Sequence, residues 1–232
     1  MKVLVIDVGG THIKVLSTGR RTPLKFDSGR SLTAGSMVKL VLGATVGWEY
    51  EAVTIGYPGP VANGRPRREP HNLSGGWVRY DFEKAFGCPV IVVNDAAMQA
   101  LGSYQGGRML FIGLGTGLGT ATIDDGKLQS LELAHLPYRE GKTFEDYLGL
   151  RGLLRLGRKK WEKHVHLVTA MLRNAMVADY VVLGGGNVLK LEALPPKARR
   201  GDNTNAFRGG FGVWETISPR QRRTRPTRIP RR

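Results

Sequence analysis

V-I-V-V-N-D-A-A-M-Q-A-L-G-S-Y, residues 90–104, is the stretch from which the rest of the chain is read. Val90-Ile91-Val92-Val93 is a β-branched run of the kind that fills a short buried strand, and from Ala96 the apolar residues fall at helical spacing. Asn94 and Asp95 stand at the switch. Either side chain there can cap the following helix. At the carboxyl end of a strand in an open α/β sheet, however, Asp95 also projects into the crevice where such sheets bind ligands. A carboxylate in that place can take a proton from a substrate hydroxyl. The choice between cap and base turns on whether phosphate-binding turns lie elsewhere in the chain.

Two such turns are present. Residues 2–8, K-V-L-V-I-D-V, form an apolar strand, followed by Gly9-Gly10-Thr11 and a second run over 12–16. Strand, glycine turn and strand make a hairpin. The exposed N–H groups of Gly9 and Gly10 form an anion nest, the Thr11 hydroxyl and Lys14 ammonium add donors, and Asp7 is placed to hold a magnesium ion through water. Residues 109–124 repeat the design, with G-L-G-T-G-L-G at 113–119 between two strands. Gly115, Thr116 and Gly117 are its candidate phosphate contacts. The turn leads into the β-rich T-A-T-I and not into a helix, so the dinucleotide fingerprint is disfavoured. Two cradles about a hundred residues apart suggest two similar lobes facing across a cleft.

Between the cradles the pattern predicts a helix over 32–47, a strand over 52–57 that ends in G-Y-P-G-P, and a short helix over 82–86. The Pro- and Gly-rich loop over 64–77 carries His71-Asn72-Leu73. After the second cradle, L-E-L-A-H-L-P-Y over 131–138 sets Glu132 and His135 three apart, which on its own describes a half-buried ion pair. Amphipathic helices are predicted over 142–157 and 160–176. A strand over 179–183 ends in Gly184-Gly185-Gly186-Asn187 and leads into a helix; that triple glycine suits close packing of a flat ligand or a phosphate. A last helix is predicted over 206–214.

With 232 residues and 32 glycines the chain suits an α/β fold large enough for one domain or two lobes. No apolar run approaches a membrane span and no leader pattern opens the chain, so a cytoplasmic protein without membrane contact is expected. One cysteine, Cys88, excludes an internal disulfide and reads as a small core residue. The formal charge is +16; seven arginines and no acid lie in residues 218–232, which leaves +9 on the remainder. That stretch, with three prolines, is expected to be a disordered basic tail. The charge on the remainder points to a polyanionic partner.

Five motifs in order, D-V-G-G-T-H-I-K from Asp7, V-N-D-A from Val93, G-L-G-T-G-L-G from Gly113, E-L-A-H from Glu132 and L-G-G-G-N from Leu183, resemble the ROK family of sugar kinases within the actin-like ATPase superfamily, in particular its polyphosphate glucokinase branch. The resemblance implies a two-lobed actin-like (ribonuclease H-like) α/β fold with a cleft between the lobes. It places residues 1–94 and a returning helix over 206–216 in the first lobe, 95–205 in the second, and 217–232 in the tail. It implies phosphoryl transfer from polyphosphate, ATP or both to the 6-hydroxyl of a hexose, glucose first, with Asp95 as the base. Asn72, Asn94, Glu132, His135 and Glu145 match sugar contacts. The two Gly-Thr turns match donor-phosphate contacts, and Gly184, Gly185 and Gly186 flank the donor.

Mg²⁺ is the implied cofactor, and a homodimer is compatible with the family. The Cys-rich zinc motif that many family members carry after the His is replaced here by residues 137–143 without cysteine, so zinc is not expected. Leu131 and Ala134 stand where glycines are usual, which bears on the choice of sugar. The competing expectations are a sugar-responsive regulator of the same family and a non-catalytic sugar-binding protein. A regulator would carry an N-terminal helix-turn-helix module, and here the first strand is read from Lys2. The tail would bind nucleic acid only nonspecifically.

Overall fold

The computed structural model describes residues 1–202 and 204–216; the expected basic tail over 217–232 lies outside them. The first half runs β1 (Val3–Val8), β2 (His12–Ser17), β3 (Leu24–Asp27), α1 (Ala34–Ala44), β4 (Ala52–Tyr57), β5 (Val61–Ala62), β6 (Arg65–Pro66), α2 (Phe82–Phe86) and β7 (Val90–Asn94). The second runs α3 (Asp95–Ser103), β8 (Arg108–Leu114), β9 (Leu118–Asp124), β10 (Lys127–Leu131), β11 (Pro137–Arg139), β12 (Lys142–Thr143), α4 (Phe144–Leu148), α5 (Leu150–Leu156), α6 (Arg158–Ala175), β13 (Tyr180–Gly184), β14 (Ala198–Arg200) and α7 (Asn205–Thr216).

The two halves carry the same sheet. One is ordered β3-β2-β1-β4-β7 and the other β10-β9-β8-β13-β14. In each, three antiparallel strands in a meander are followed by two parallel ones. Shared topology shows the repeat that the short sequence match only hinted at. β1 and β4 are buried at every position, as strands covered on both faces must be. β2 alternates partly buried and buried side chains, the pattern of a strand nearer the sheet edge.

α3 and α7 cross between the sheets with backbone touching backbone. A Cβ on Gly102 would lie 1.9 Å from the Asn205 carbonyl oxygen, and one on Gly209 would lie 1.8 Å from that of Met98. α7 also lies along the first sheet: the buried Thr54 hydroxyl donates to Gly210 O at 2.7 Å and accepts from Trp214 Nε1 at 2.8 Å. Both bonding roles of that hydroxyl are therefore satisfied, as a buried polar group requires.

Four expectations are corrected. The helix over 32–47 begins only at Ala34, because Thr33 and Ser36 form a reciprocal capping box. The single helix over 142–157 is instead strand β12 with the short helices α4 and α5. Gly149 is extended (φ −71°, ψ 179°) and a Cβ there would stand 2.9 Å from Glu145 O and 3.1 Å from Thr116 O, so the chain breaks where it must approach other backbone. The helix expected over 160–176 starts two residues earlier, at Arg158. The triple glycine leads into a 3-10 turn over Gly186–Lys190, not an α-helix. Cys88 is partly buried against the first core.

Candidate active site

Of the two residues at the switch, the cap role falls to Asn94. Its Oδ1 accepts from Ala97 N at 3.0 Å, and its Nδ2 donates to Gly59 O at 3.1 Å, which fastens the 56–60 turn to the head of α3. One N–H of that amide is left for a ligand. Asp95 is the first helical residue, with Oδ1 accepting from Ala96 N at 2.8 Å. Removing its side chain therefore does not uncap the helix.

Burial pushes the Asp95 carboxyl up to about 7; the negative charges of Asp7 and Glu132 add to the rise, and the N–H groups of Ala96 and Asp95 oppose it. Asp7, 7% exposed, is likewise raised by burial, with Lys14 opposing. The β1–β2 register sets Lys14 directly opposite Asp7, with Nζ 3.9 Å from Oδ2. The ammonium thus pairs with Asp7 alone, at the outer limit of pairing, and Asp95 feels the Asp7 charge without a cation of its own among the causes of its shift. Because a carboxyl must lose its proton to act as a base, kcat/KM for catalysis by Asp95 is expected to fall with pH below about 7 and level off above it. Asp7→Asn, which deletes a like charge, is expected to move that acid limb to lower pH in the residual activity. A pH–rate series on both proteins checks this.

The two glycine turns meet. A Cβ built on Gly10 would find Asn72 Cβ at 3.5 Å and Thr116 Oγ1 at 3.7 Å, so the first turn, the second turn and the 64–77 loop converge on one point. In the first turn Gly9 N donates to His12 O, Ser28 Oγ donates to Gly9 O, and Thr11 is exposed. The second is braced from three sides. Leu150 N donates to Gly115 O, Asn187 Nδ2 donates to the same oxygen at 2.8 Å, and Leu118 N donates to Glu145 Oε2 at 3.1 Å. A Cβ on Gly117 would stand 2.5 Å from that Glu145 oxygen, so a larger residue there would displace the Glu145 carboxylate from Leu118 N.

Glu145, placed among the sugar contacts by resemblance, therefore enters the site through the second turn, and its Oε1 pairs with Arg151 at 3.3 Å. Of the triple glycine, Gly184 packs on Phe111 and Gly185 on the backbone of Leu114, where a Cβ would meet the carbonyl oxygen at 2.4 Å. Only Gly186 is open. Glu132, whose charge helps raise the Asp95 carboxyl, and His135 are both more than half exposed, with His135 Nε2 4.0 Å from Glu132 Oε2. The following hairpin, β11–β12, is pinned by Tyr138, whose hydroxyl bonds His164 Nδ1 at 3.0 Å and whose ring packs on Phe144 and Tyr147.

Two residues near the site were not singled out from sequence. Arg151 has no signal beyond its charge. His71 adjoins Asn72 as a polar residue in an otherwise anchored loop, and its ring lies 6.0 Å from that of His135. Among the described residues no set of three or more His, Cys, Asp or Glu is arranged to hold a metal alone. The donors present, a buried and under-neutralised Asp7 with Asp95 beside it, fit a magnesium ion that takes one or two carboxylates and completes its shell with water and substrate phosphate.

The class of protein is set by this architecture: an actin-like ATPase fold in the form found in ROK glucokinases. The chain belongs to the ROK family, whose sequence profile matches residues 3–130. It is 28% identical over 221 residues to a polyphosphate glucokinase of Mycobacterium tuberculosis (strain H37Rv), covering 82% of this chain and 80% of that one. It is 27% identical over 202 residues to the polyphosphate glucokinase of Mycobacterium leprae, covering 79% of this chain and 59% of that longer protein. Among solved structures, an inorganic polyphosphate/ATP-glucomannokinase from Arthrobacter sp. strain KM superposes with a TM-score of 0.77 at 23% identity, over 90% of this chain and 96% of that one. A ROK glucokinase from Streptomyces griseus, crystallised with glucose and AMPPNP, superposes with a TM-score of 0.75 at 19% identity, over 92% and 99%. No helix among the described residues is long and apolar enough to cross a membrane.

Proposed function

We propose that this chain is a hexokinase-type sugar kinase that moves a phosphoryl group from polyphosphate, ATP or both to the 6-hydroxyl of a hexose, with glucose the first candidate. The observation that carries the reading is the convergence at Gly10 of two Gly-Thr turns and Asn72, in a site that also holds Asp95, a raised carboxyl at a strand end. In-line phosphoryl transfer asks of a protein mainly positioning and charge neutralisation. Gly9 N–H and Gly115 N–H are spent inside their turns, on His12 O and Gly117 O, so Thr11, Thr116, Lys14 and the remaining turn N–H groups hold donor oxygens. Asp95 orients the sugar hydroxyl and takes its proton. Magnesium, held at Asp7 with water, would neutralise charge on the donor phosphates. Residues 1–94 with α7 form one lobe and 95–205 the other; α7 lying on β1 and β4 supports that division.

Glu132 and His135, with the free N–H of Asn94 and the Asn72 amide, are assigned to sugar hydroxyls. Glu132→Gln and His135→Ala are each expected to raise the hexose KM about tenfold or more, with the donor KM nearly unchanged, since a site built to bond hydroxyls loses affinity when a partner goes. Equal effects on both substrates would place the pair outside the sugar pocket. Release of sugar 6-phosphate from glucose, mannose, fructose and N-acetylhexosamines, each with ATP and with polyphosphate, tests the reading as a whole.

For the donor, similarity to polyphosphate glucokinases and the basic surface point the same way. Arg65, Arg67 and Arg68 are exposed, as are Lys159, Lys160 and Lys163 at the head of α6. The lysines adjoin the Gly186–Lys190 turn, where Arg158 Nε donates to Lys190 O, and that turn reaches Gly115 through Asn187. A long polyanion leaving the second cradle meets this track, whereas a triphosphate is too short to cover it. Polyphosphate affinity is expected to fall more steeply with salt than ATP affinity, because each neutralised phosphate releases counterions. Replacing Lys159, Lys160 and Lys163 together with Gln is expected to weaken polyphosphate use selectively, as KM series at two salt concentrations will show.

A further inference from the structure

We propose that His71 is a further hexose contact, added from the 64–77 loop to the sugar residues assigned above. The proposal rests on the sugar-kinase reading above.

The loop that carries His71 is anchored on either side of its tip. Tyr57 Oη donates to Arg68 O at 2.7 Å, and the Glu69 carboxylate accepts from Trp77 N at 3.0 Å and Val78 N at 3.2 Å. Trp77 is fully buried and its Nε1 donates to Ser74 O at 2.8 Å. Pro70 and Leu73 are buried on either side of the tip, and between them His71 and Asn72 are exposed. Anchored around the tip by Glu69, Pro70, Leu73 and Trp77, the loop holds two polar side chains out at fixed positions, which is how a binding site is pre-organised.

The two point at different partners. Asn72 meets Gly10 of the first cradle, 3.5 Å from where a Cβ would stand. His71 faces His135 edge to face at 6.0 Å, and His135 in turn stands 4.0 Å from Glu132. The tip thus straddles the junction between the donor turns and the residues assigned to the sugar, where the accepting hydroxyl has to lie. A neutral imidazole offers one N–H and one lone pair, the complement of a sugar hydroxyl that donates and accepts. His71, His135 and Glu132 are all exposed and, on the lobe division proposed above, come from two lobes, so a hexose bonded to all three draws the lobes together.

The test is steady-state kinetics of the full-length chain with His71→Ala, His71→Phe and His71→Gln, together with the thermal shift each protein shows on adding glucose. His71→Ala is expected to raise the glucose KM about tenfold, the loss of one neutral hydrogen bond with its partner left unpaired, while the donor KM stays within twofold. His71→Phe keeps the ring but not the bond and is expected to behave like Ala; His71→Gln is expected to recover part of the affinity. Glucose KM within twofold of wild type in both Ala and Phe variants would overturn the proposal. So would a matched rise in both KM values, which would mean that the loop had moved with Asn72. If the wild-type protein phosphorylates no hexose, the kinase reading fails first. The thermal shift then decides the claim about His71: a glucose-induced shift lost in His71→Ala upholds it, and an unchanged or absent shift overturns it.

Discussion

Asp95→Asn is expected to give a folded protein that still binds hexose but turns over at least about a hundredfold more slowly, the usual scale of losing a general base. The substitution keeps the shape of the side chain and one oxygen to accept from Ala96 N, and Asn94 remains the cap of α3. It also removes a strained charge. Because burial raises the Asp95 carboxyl to about 7, the folded protein holds a proton that the unfolded chain loses near pH 4, so the site destabilises the fold progressively as pH rises between those values. Asp95→Asn is therefore expected to be at least as stable as wild type at pH 8. A loss of rate together with an unchanged or raised melting temperature separates a missing base from a damaged fold. Near-full kcat in this variant would sink the assignment.

The second large effect is on stability. Gly209→Ala is expected to cost about 3 kcal/mol or more, toward the upper end for overpacking. The atom it would strike is backbone, the Met98 carbonyl oxygen 1.8 Å from the new Cβ, and no rotamer change can relieve that. For a chain of this size such a loss lowers the melting temperature by roughly 10 °C. Gly102→Ala meets the Asn205 carbonyl at 1.9 Å and is expected to behave alike. Since α3 begins with Asp95, any separation of α3 from α7 also moves the base, so activity is expected to fall before the protein unfolds. Calorimetric melting of the two variants beside Gly43→Ala, where a Cβ meets nothing within 4 Å, provides the comparison.

The same glycines show what a sequence displays and what it withholds. The strand, glycine turn and strand at residues 3–17 and 108–124 were legible because β-branched runs and Gly-Thr turns are local signals, as was the strand-to-helix switch at Asn94 and Asp95. Gly102, Gly149 and Gly209 look in sequence like weak points in helical patterns. Only the packed chain shows that each admits another backbone, and Gly149 breaks a predicted helix for that reason. The residue types at the site were legible, but their grouping was not. Nothing near Gly10 in the chain announces that Asn72 and Thr116 will stand within 4 Å of it, or that His71 will face His135. Those encounters depend on how two separately folded sheets are set against each other. Asn94 was read as a sugar contact and proves also to be the cap and the fastening of Gly59, because its amide can serve both neighbours at once.

Phosphorus NMR of the full-length protein with glucose, Mg²⁺ and either ATP or polyphosphate tests the central claim most directly, since it tracks where the phosphoryl group goes. The expected result is a sugar 6-phosphate resonance that grows as donor is consumed and does not appear with Asp95→Asn over the same time. Donor consumed to orthophosphate alone, or no transfer to any hexose with either donor, would contradict the assignment of this cleft to sugar phosphorylation.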